Sequence, residues 1–166
     1  DEGEAVMPSP LLLAILRRFE GCYRIGKDGL VYPYLCPAGI PTQGYGHVVP
    51  SMDVPPITRA QAEEILVKDA ELHLRKALQL SEILITEPDA RQSAIGSFVF
   101  NLGPGRYRAS TLRKRVNEGD WEGAAEELGH WVFGGGKKLP GLVLRRALEA
   151  RLLRGGSVSE EAEDDV

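Results

Sequence analysis

Cysteine is scarce, long apolar runs are missing, and no segment repeats. The 166-residue chain holds 2 cysteines, Cys22 and Cys36. Two thiols do not make a disulfide framework, and without paired Cys-x-x-Cys motifs they do not suggest zinc; two reduced thiols are the expectation. The longest apolar run, Leu11 to Leu16, stops at Arg17 and Arg18 and falls far short of the ~20 residues that span a bilayer. No stable membrane insertion is expected, and no secretory signal is visible in these residues. The chain begins at Asp1 rather than Met, which leaves an upstream segment open. Neither a Walker lysine nor a dinucleotide fingerprint accompanies the glycines, which argues against a phosphate cradle. The basic residues are scattered and no recognition motif accompanies them, so no nucleic-acid partner is expected.

What is present is a globular balance, 43% hydrophobic and 27% charged, at a length that suits one domain or two lobes sharing a core. The net charge of −4 conceals an asymmetry. Asp1, Glu2 and Glu4 at one end, and Glu160, Glu161, Glu163, Asp164 and Asp165 at the other, supply eight negative charges; without them the body carries +4. A mildly basic body with acidic ends fits an anionic polymer partner.

Ser9-Pro10 reads as an N-cap with proline at the first helical position, and Gly21 as the stop. Between them Leu12, Ile15, Leu16 and Phe19 share one face, so Glu20 falls in the last turn, where the helix's negative end disfavours an ionised carboxyl. From Cys22 to Gly46, glycines, prolines and tyrosines punctuate short β-type pieces such as Leu30-Val31-Tyr32, which predicts a small antiparallel sheet. Thr58 with Gln61 forms a capping box. It opens a helix of roughly 22 residues, about 33 Å long, whose stripe runs through Ala62, Ile65, Leu66, Ala70, Leu74, Ala77 and Leu78. After Pro88 the chain reads as all-helical, with helices from Asp89 to about Leu102, Ser110 to Asn117, Asp120 to His130 and Pro140 to Arg154. Trp121, Trp131 and Leu142 are expected in the core, and Arg145-Arg146 on the surface.

The dense cluster is Phe19-Glu20-Gly21, then Cys36, five residues, Thr42, and Gly44-Tyr45-Gly46-His47. This ordered set resembles the phage lysozyme family, glycoside hydrolase family 24. The second half resembles it too, in Phe98-Val-Phe100-Asn101-Leu-Gly103, Ser110-Thr111-Leu112, Asn117-x-Gly119-Asp120, Trp131 and Gly141-Leu142-Val143-x-Arg145-Arg146. The resemblance spans residues 10 to 154. One departure is the fifteen residues between Glu20 and Cys36, longer than in the T-even phage enzyme, with Arg24 to Val31 reading as a lengthened hairpin.

The resemblance implies an α+β, mainly helical lysozyme-like fold. A small β-containing lobe (10–57) and a larger helical lobe (82–155) are joined by a long helix (58–81), with tails at 1–9 and 156–166. It implies a muramidase hydrolysing the β-1,4 bond between N-acetylmuramic acid and N-acetylglucosamine for host lysis, needing no cofactor and no metal. The enzyme is expected to be a monomer that stays in the host cytoplasm until a holin releases it to the wall. Glycoside hydrolysis needs an acid for the leaving oxygen and a second group to activate or position water. Glu20 takes the acid role. Cys36 stands where many members carry Asp and would act as nucleophile or base, with Thr42 holding water. Val48, Phe100 and Thr111 match positions lining the sugar cleft.

Residue by residue, duller readings stand beside these: a solvated glutamate at a helix end, a small buried thiol, a β-branched strand residue, and a core phenylalanine. Asp69 falls on the apolar stripe of the long helix, where an unpaired carboxylate is costly. It needs a partner, and His47 is the candidate. His47, His73 and the cysteines lack metal-ligand spacing. Two other functions remain open at this level: a weakly catalytic peptidoglycan-binding module, and a cysteine peptidase pairing Cys36 with His47. A Cys22–Cys36 disulfide caging the catalytic thiol also stays open.

Overall fold

The structure, a computed structural model, describes residues 6–156; the acidic ends at 1–5 and 157–166 lie outside the described residues. It is α+β and mostly helical. Helix α1 (Pro10–Glu20) is capped by the Ser9 hydroxyl, which accepts from the Leu12 amide, and has proline at its first position. It buries Leu12, Ile15 and Leu16, each stabilising by roughly 1.5–3 kcal/mol. Gly21, at φ 68°, ends it and fixes Glu20 at the final position.

Three short antiparallel strands follow: β1 (Tyr34–Leu35), β2 (Pro41–Gln43) and β3 (His47–Val48), in the order β1-β2-β3. The register places Thr42 opposite both Tyr34 and Val48. Leu30-Val31-Tyr32, predicted as a strand, lies outside this sheet. Val31 instead makes isolated bridges to Ile25 and Ile57, so the lengthened segment is a tight hairpin tied to the loop before the next helix. Its side chain is fully buried, which explains the apolar signal.

Helix α2 (Arg59–Leu80) spans 22 residues and starts with the Thr58–Gln61 capping box. It buries Ala62, Leu66, Ala70, Leu74 and Ala77. A 3₁₀ turn (Glu82–Thr86) leads to α3 (Asp89–Leu102), which is buried on all sides from Ser93 to Val99. Such all-round burial marks the central helix of a bundle. Helices α1, α2 and α7 (Pro140–Leu153) pack around it. Between them run α4 (Pro104–Arg108), α5 (Thr111–Asn117) and α6 (Trp121–Leu128).

The all-helical reading of this half needs one correction, and the expected burial needs others. Residues Phe133–Gly134 (β4) and Lys137–Lys138 (β5) form a hairpin. Its two turn residues, Gly135 and Gly136, both take positive φ, the signature of the two-residue hairpin loop. Arg145 and Arg146, expected on the surface, are only 3% and 2% exposed. Trp121 and Trp131 pack against the main core, whereas Leu142, expected beside them, lines an open cavity.

Candidate active site

Two cavities, of about 390 and 430 Å³, adjoin at Glu20 and Asn101, which line both. The first is walled by Gly46, His47 and Val48 from the sheet, Asp69 and His73 from α2, and Phe100 from α3. The second is walled by Phe19 and by the start of α7, from Leu139 to Leu142 and Arg145. Glu20 therefore stands midway along a cleft between the sheet side and the helical side.

The carboxyl is held from the helical side. Arg145 Nη1 donates to Glu20 Oε1 at 2.7 Å. The guanidinium is itself fixed, with Nε donating to Ser97 Oγ at 3.1 Å and Nη2 to the Ser97 carbonyl at 3.2 Å. Behind it Arg146 Nε lies 2.7 Å from Glu149 Oε1, both almost wholly buried, and Arg146 Nη2 donates to Asn101 Oδ1 at 2.8 Å. Burial pushes the Glu149 carboxyl up and the Arg146 guanidinium down, and the attraction between the two opposes both displacements. From the sheet side the backbone comes close. A Cβ on Gly46 would sit 3.0 Å from Glu20 Oε2, and Gly46 takes φ 76°, so glycine is required there twice over.

Cys36 follows the end of β1 and Thr42 lies in β2, and neither lines the two cavities. Thr42 is nearly buried, and its hydroxyl donates to the Ile40 carbonyl at 2.9 Å. Register partners share a face, so Tyr34, Thr42 and Val48 do so, and Val48 carries that face to the cavity beside Glu20. The Cys36 thiol is held below its ordinary value, first by the backbone amide of Ile40 and then by the amides of Ala38 and Gly39 and the Thr42 hydroxyl. Cys22 moves the other way, because burial pushes its thiol up. Both cysteines are free. Tyr34 connects the two sides: burial pushes its phenol up, and Tyr23, Glu20, Cys36 and Cys22 add to the effect.

His47 Nδ1 lies 2.7 Å from Asp69 Oδ2, with the side chains 39% and 22% exposed; the contact is part-open to water rather than buried. Thr111 is the exposed first residue of α5, with its neighbour Leu112 in the core, and lines neither cavity.

Of the residues singled out from the sequence, the cleft thus brings together Glu20, His47, Val48, Asp69 and Phe100. Sequence reasoning missed Arg145, Asn101, His73 and Leu142. The signal for the first was there. The stripe logic that singles out Asp69 on α2 applies equally to Arg145, Arg146 and Glu149, which continue the buried face of α7. Among the described residues no group of three or more potential ligands could hold a metal ion.

The SAR-endolysin of Bacteriophage PS119 is 36% identical over 129 residues, 75% of this chain and 74% of that protein. The active form of the P1 phage endolysin Lyz superposes with a TM-score of 0.73 at 26% identity, covering 93% of this chain and 89% of that one. The muramidase domain of SpmX from Asticaccaulis excentricus does so with a TM-score of 0.72 at 26% identity, over 88% and 96%. The sequence model described as phage lysozyme matches residues 18–149, and with a cleft centred on a carboxyl at the end of the first helix the chain belongs to the phage lysozyme family.

Proposed function

We propose that Glu20 is the general acid of this peptidoglycan-lysing glycoside hydrolase, and that Cys36 with Thr42 serves the opposite face of the sugar. The observation that carries the reading is the placement of one carboxyl at the junction of two cavities, fixed by a buried arginine. A glycan strand lying along the cleft puts a glycosidic oxygen beside Glu20, which gives it a proton as the bond to C1 breaks. Arg145 holds the carboxyl's orientation before transfer and balances its charge afterwards. On the far face the Cys36 thiolate acts as nucleophile or base. The Thr42 hydroxyl gives its one proton to the Ile40 carbonyl, which leaves the hydroxyl oxygen available to a water molecule.

Purified peptidoglycan digested with the protein should release new reducing ends and no new amines, which separates a muramidase from a peptidase. Glu20→Gln keeps the shape but cannot supply a proton, so turnover should fall by at least about 10²-fold. Near-normal lysis by this variant removes Glu20 from the mechanism. Cys36→Asp should stay active, Cys36→Ala should be strongly impaired, and Cys36→Ser should sit low, a hydroxyl being a far poorer nucleophile than a thiolate. A folded but inactive Cys36→Asp counts against the role given to position 36.

The chain is further proposed to act as a monomer whose two lobes, residues 10–57 and 82–155, are joined by the helix at 58–81. It would wait in the host cytoplasm for passage through a pore made by another protein. Sedimentation and fractionation of expressing cells test these two statements separately.

A further inference from the structure

We infer that His73 is a substrate-binding residue of this cleft, offering the lone pair of its Nε2 to a hydroxyl or acetamido N–H of the bound glycan. The inference rests on the reading of the cleft as the glycan site and adds a contact that the sequence motifs do not contain.

The tautomer follows from one contact. His73 Nδ1 lies 2.6 Å from the backbone carbonyl oxygen of Asp69, one helical turn earlier on α2. A carbonyl oxygen only accepts, so Nδ1 carries the proton, and a neutral imidazole with its proton there has a bare lone pair on Nε2. The Nδ1 edge is turned back onto the helix. The opposite edge belongs to a ring that lines the cavity beside Glu20, and the Phe100 ring, 5.1 Å away and tilted by 54°, limits how far it can swing.

The duller reading is a helix histidine satisfied by its own backbone. That contact accounts for one ring nitrogen and leaves the other without a hydrogen-bond partner among the described residues, on a ring that lines the cavity. Asp69 anchors both imidazoles of the cleft, His47 through its carboxylate and His73 through its main chain. Across the same cavity Asn101 has its carbonyl oxygen taken by Arg146, so its amide nitrogen is the atom left for a ligand. A sugar bearing both donors and acceptors finds an acceptor at His73 and a donor at Asn101. Phe100, beside His73, supplies an apolar face of the kind sugar rings pack on.

The test uses Glu20→Gln protein and soluble glycan strands prepared from peptidoglycan by removing the stem peptides. Adding His73→Leu, which keeps the apolar contact with Phe100, should raise Kd about 3- to 10-fold, the range for one net hydrogen bond, with Tm unchanged. In the active enzyme the same substitution should raise KM and leave kcat in place. His73→Gln, whose side-chain oxygen can accept, should fall between. Nitrogen-15 NMR of histidine-labelled protein should show the Nδ1-protonated tautomer, with the Nε2 resonance moving when strands are added. An Nε2-protonated ring, or a Kd that His73→Leu does not change, overturns the inference. Should His73→Leu fail to fold, the NMR titration of the Glu20→Gln protein decides alone. A Glu20→Gln protein that still lyses cell walls defeats the cleft reading itself, whereas an inactive one with an unmoved Kd defeats only the role of His73.

Discussion

On the helical side of the cleft Arg145, Arg146 and Glu149 are withdrawn from water almost completely, while on the sheet side His47 stays 39% exposed and Cys36 is only part-buried. The helical side holds the Glu20 carboxyl through charge from a dry interior, where position is fixed but desolvation is heavy. The sheet side holds the Cys36 thiol with backbone amides, beside three strands of two or three residues each. The comparison teaches that the fixed position of Glu20 rests on buried charge and carries a stability risk, whereas the lowered Cys36 thiol rests on the amides of a local turn. The two sides should therefore respond differently to mutation.

The largest effect is expected at Glu149. Glu149→Ala leaves Arg146 buried without its counter-ion, and should destabilise by about 3–5 kcal/mol, lowering Tm by on the order of 10 °C at roughly 2–4 °C per kcal/mol. Arg146→Met combined with Glu149→Leu should recover most of that loss, since the desolvation of both charges disappears together. A double variant as unstable as the single one would show that the pair, rather than its burial, holds the helical side.

Gly46→Ala comes next and sharpens the contrast at the point where the sides meet. The left-handed backbone costs an L-residue about 1–2 kcal/mol, and the new Cβ presses on Glu20 Oε2. Activity should fall about 10-fold or more, as expected for a displaced reacting group, while most of the fold survives. Undiminished kcat would mean that the carboxyl has room to move.

Asp69→Asn should destabilise less, by about 0.5–1 kcal/mol, because the contact with His47 is part-exposed. A thermal melt indistinguishable from the parent would show that this contact contributes nothing.

The smallest effects are pH-dependent. Arg17, followed by the Tyr45 hydroxyl, holds the Glu63 carboxyl below its ordinary value of 4.5. Its contribution is therefore present above that value and is lost as pH falls through the lower, folded one. Melts of the protein and of Glu63→Gln should differ near neutrality and converge in acid. Tyr45, pushed up to about 12 by burial and by Glu63, contributes below its ordinary value of 10, and that contribution is lost as pH rises through about 12. On the sheet side the opposite displacements of the two thiols predict that alkylation near neutral pH modifies Cys36 before Cys22, by peptide mapping. Equal rates would remove the electrostatic distinction between them.

Much of the frame was legible in the sequence because it is written in local chemistry. Ser9-Pro10, Gly21 and the Thr58–Gln61 box bound α1 and α2 through contacts only a few residues apart. The same short range places Glu20 at a helix end and spaces Cys36 from Thr42. The Gly135-Gly136 hairpin was equally local and was passed over because helical signals surround it. Other features were decided by tertiary structure alone. Arg145 reaches Glu20 across 125 positions of the chain; its place on the buried stripe of α7 is a local signal, but the partner it meets is not. His73 and Asn101 acquire meaning only when α2 and α3 face one cavity, because a ring nitrogen or an amide becomes a binding group through what occupies its other end. Sequence determined which groups could be charged, capped or turned; the packing of distant segments decided which of them face each other in the cleft and which are sealed from water.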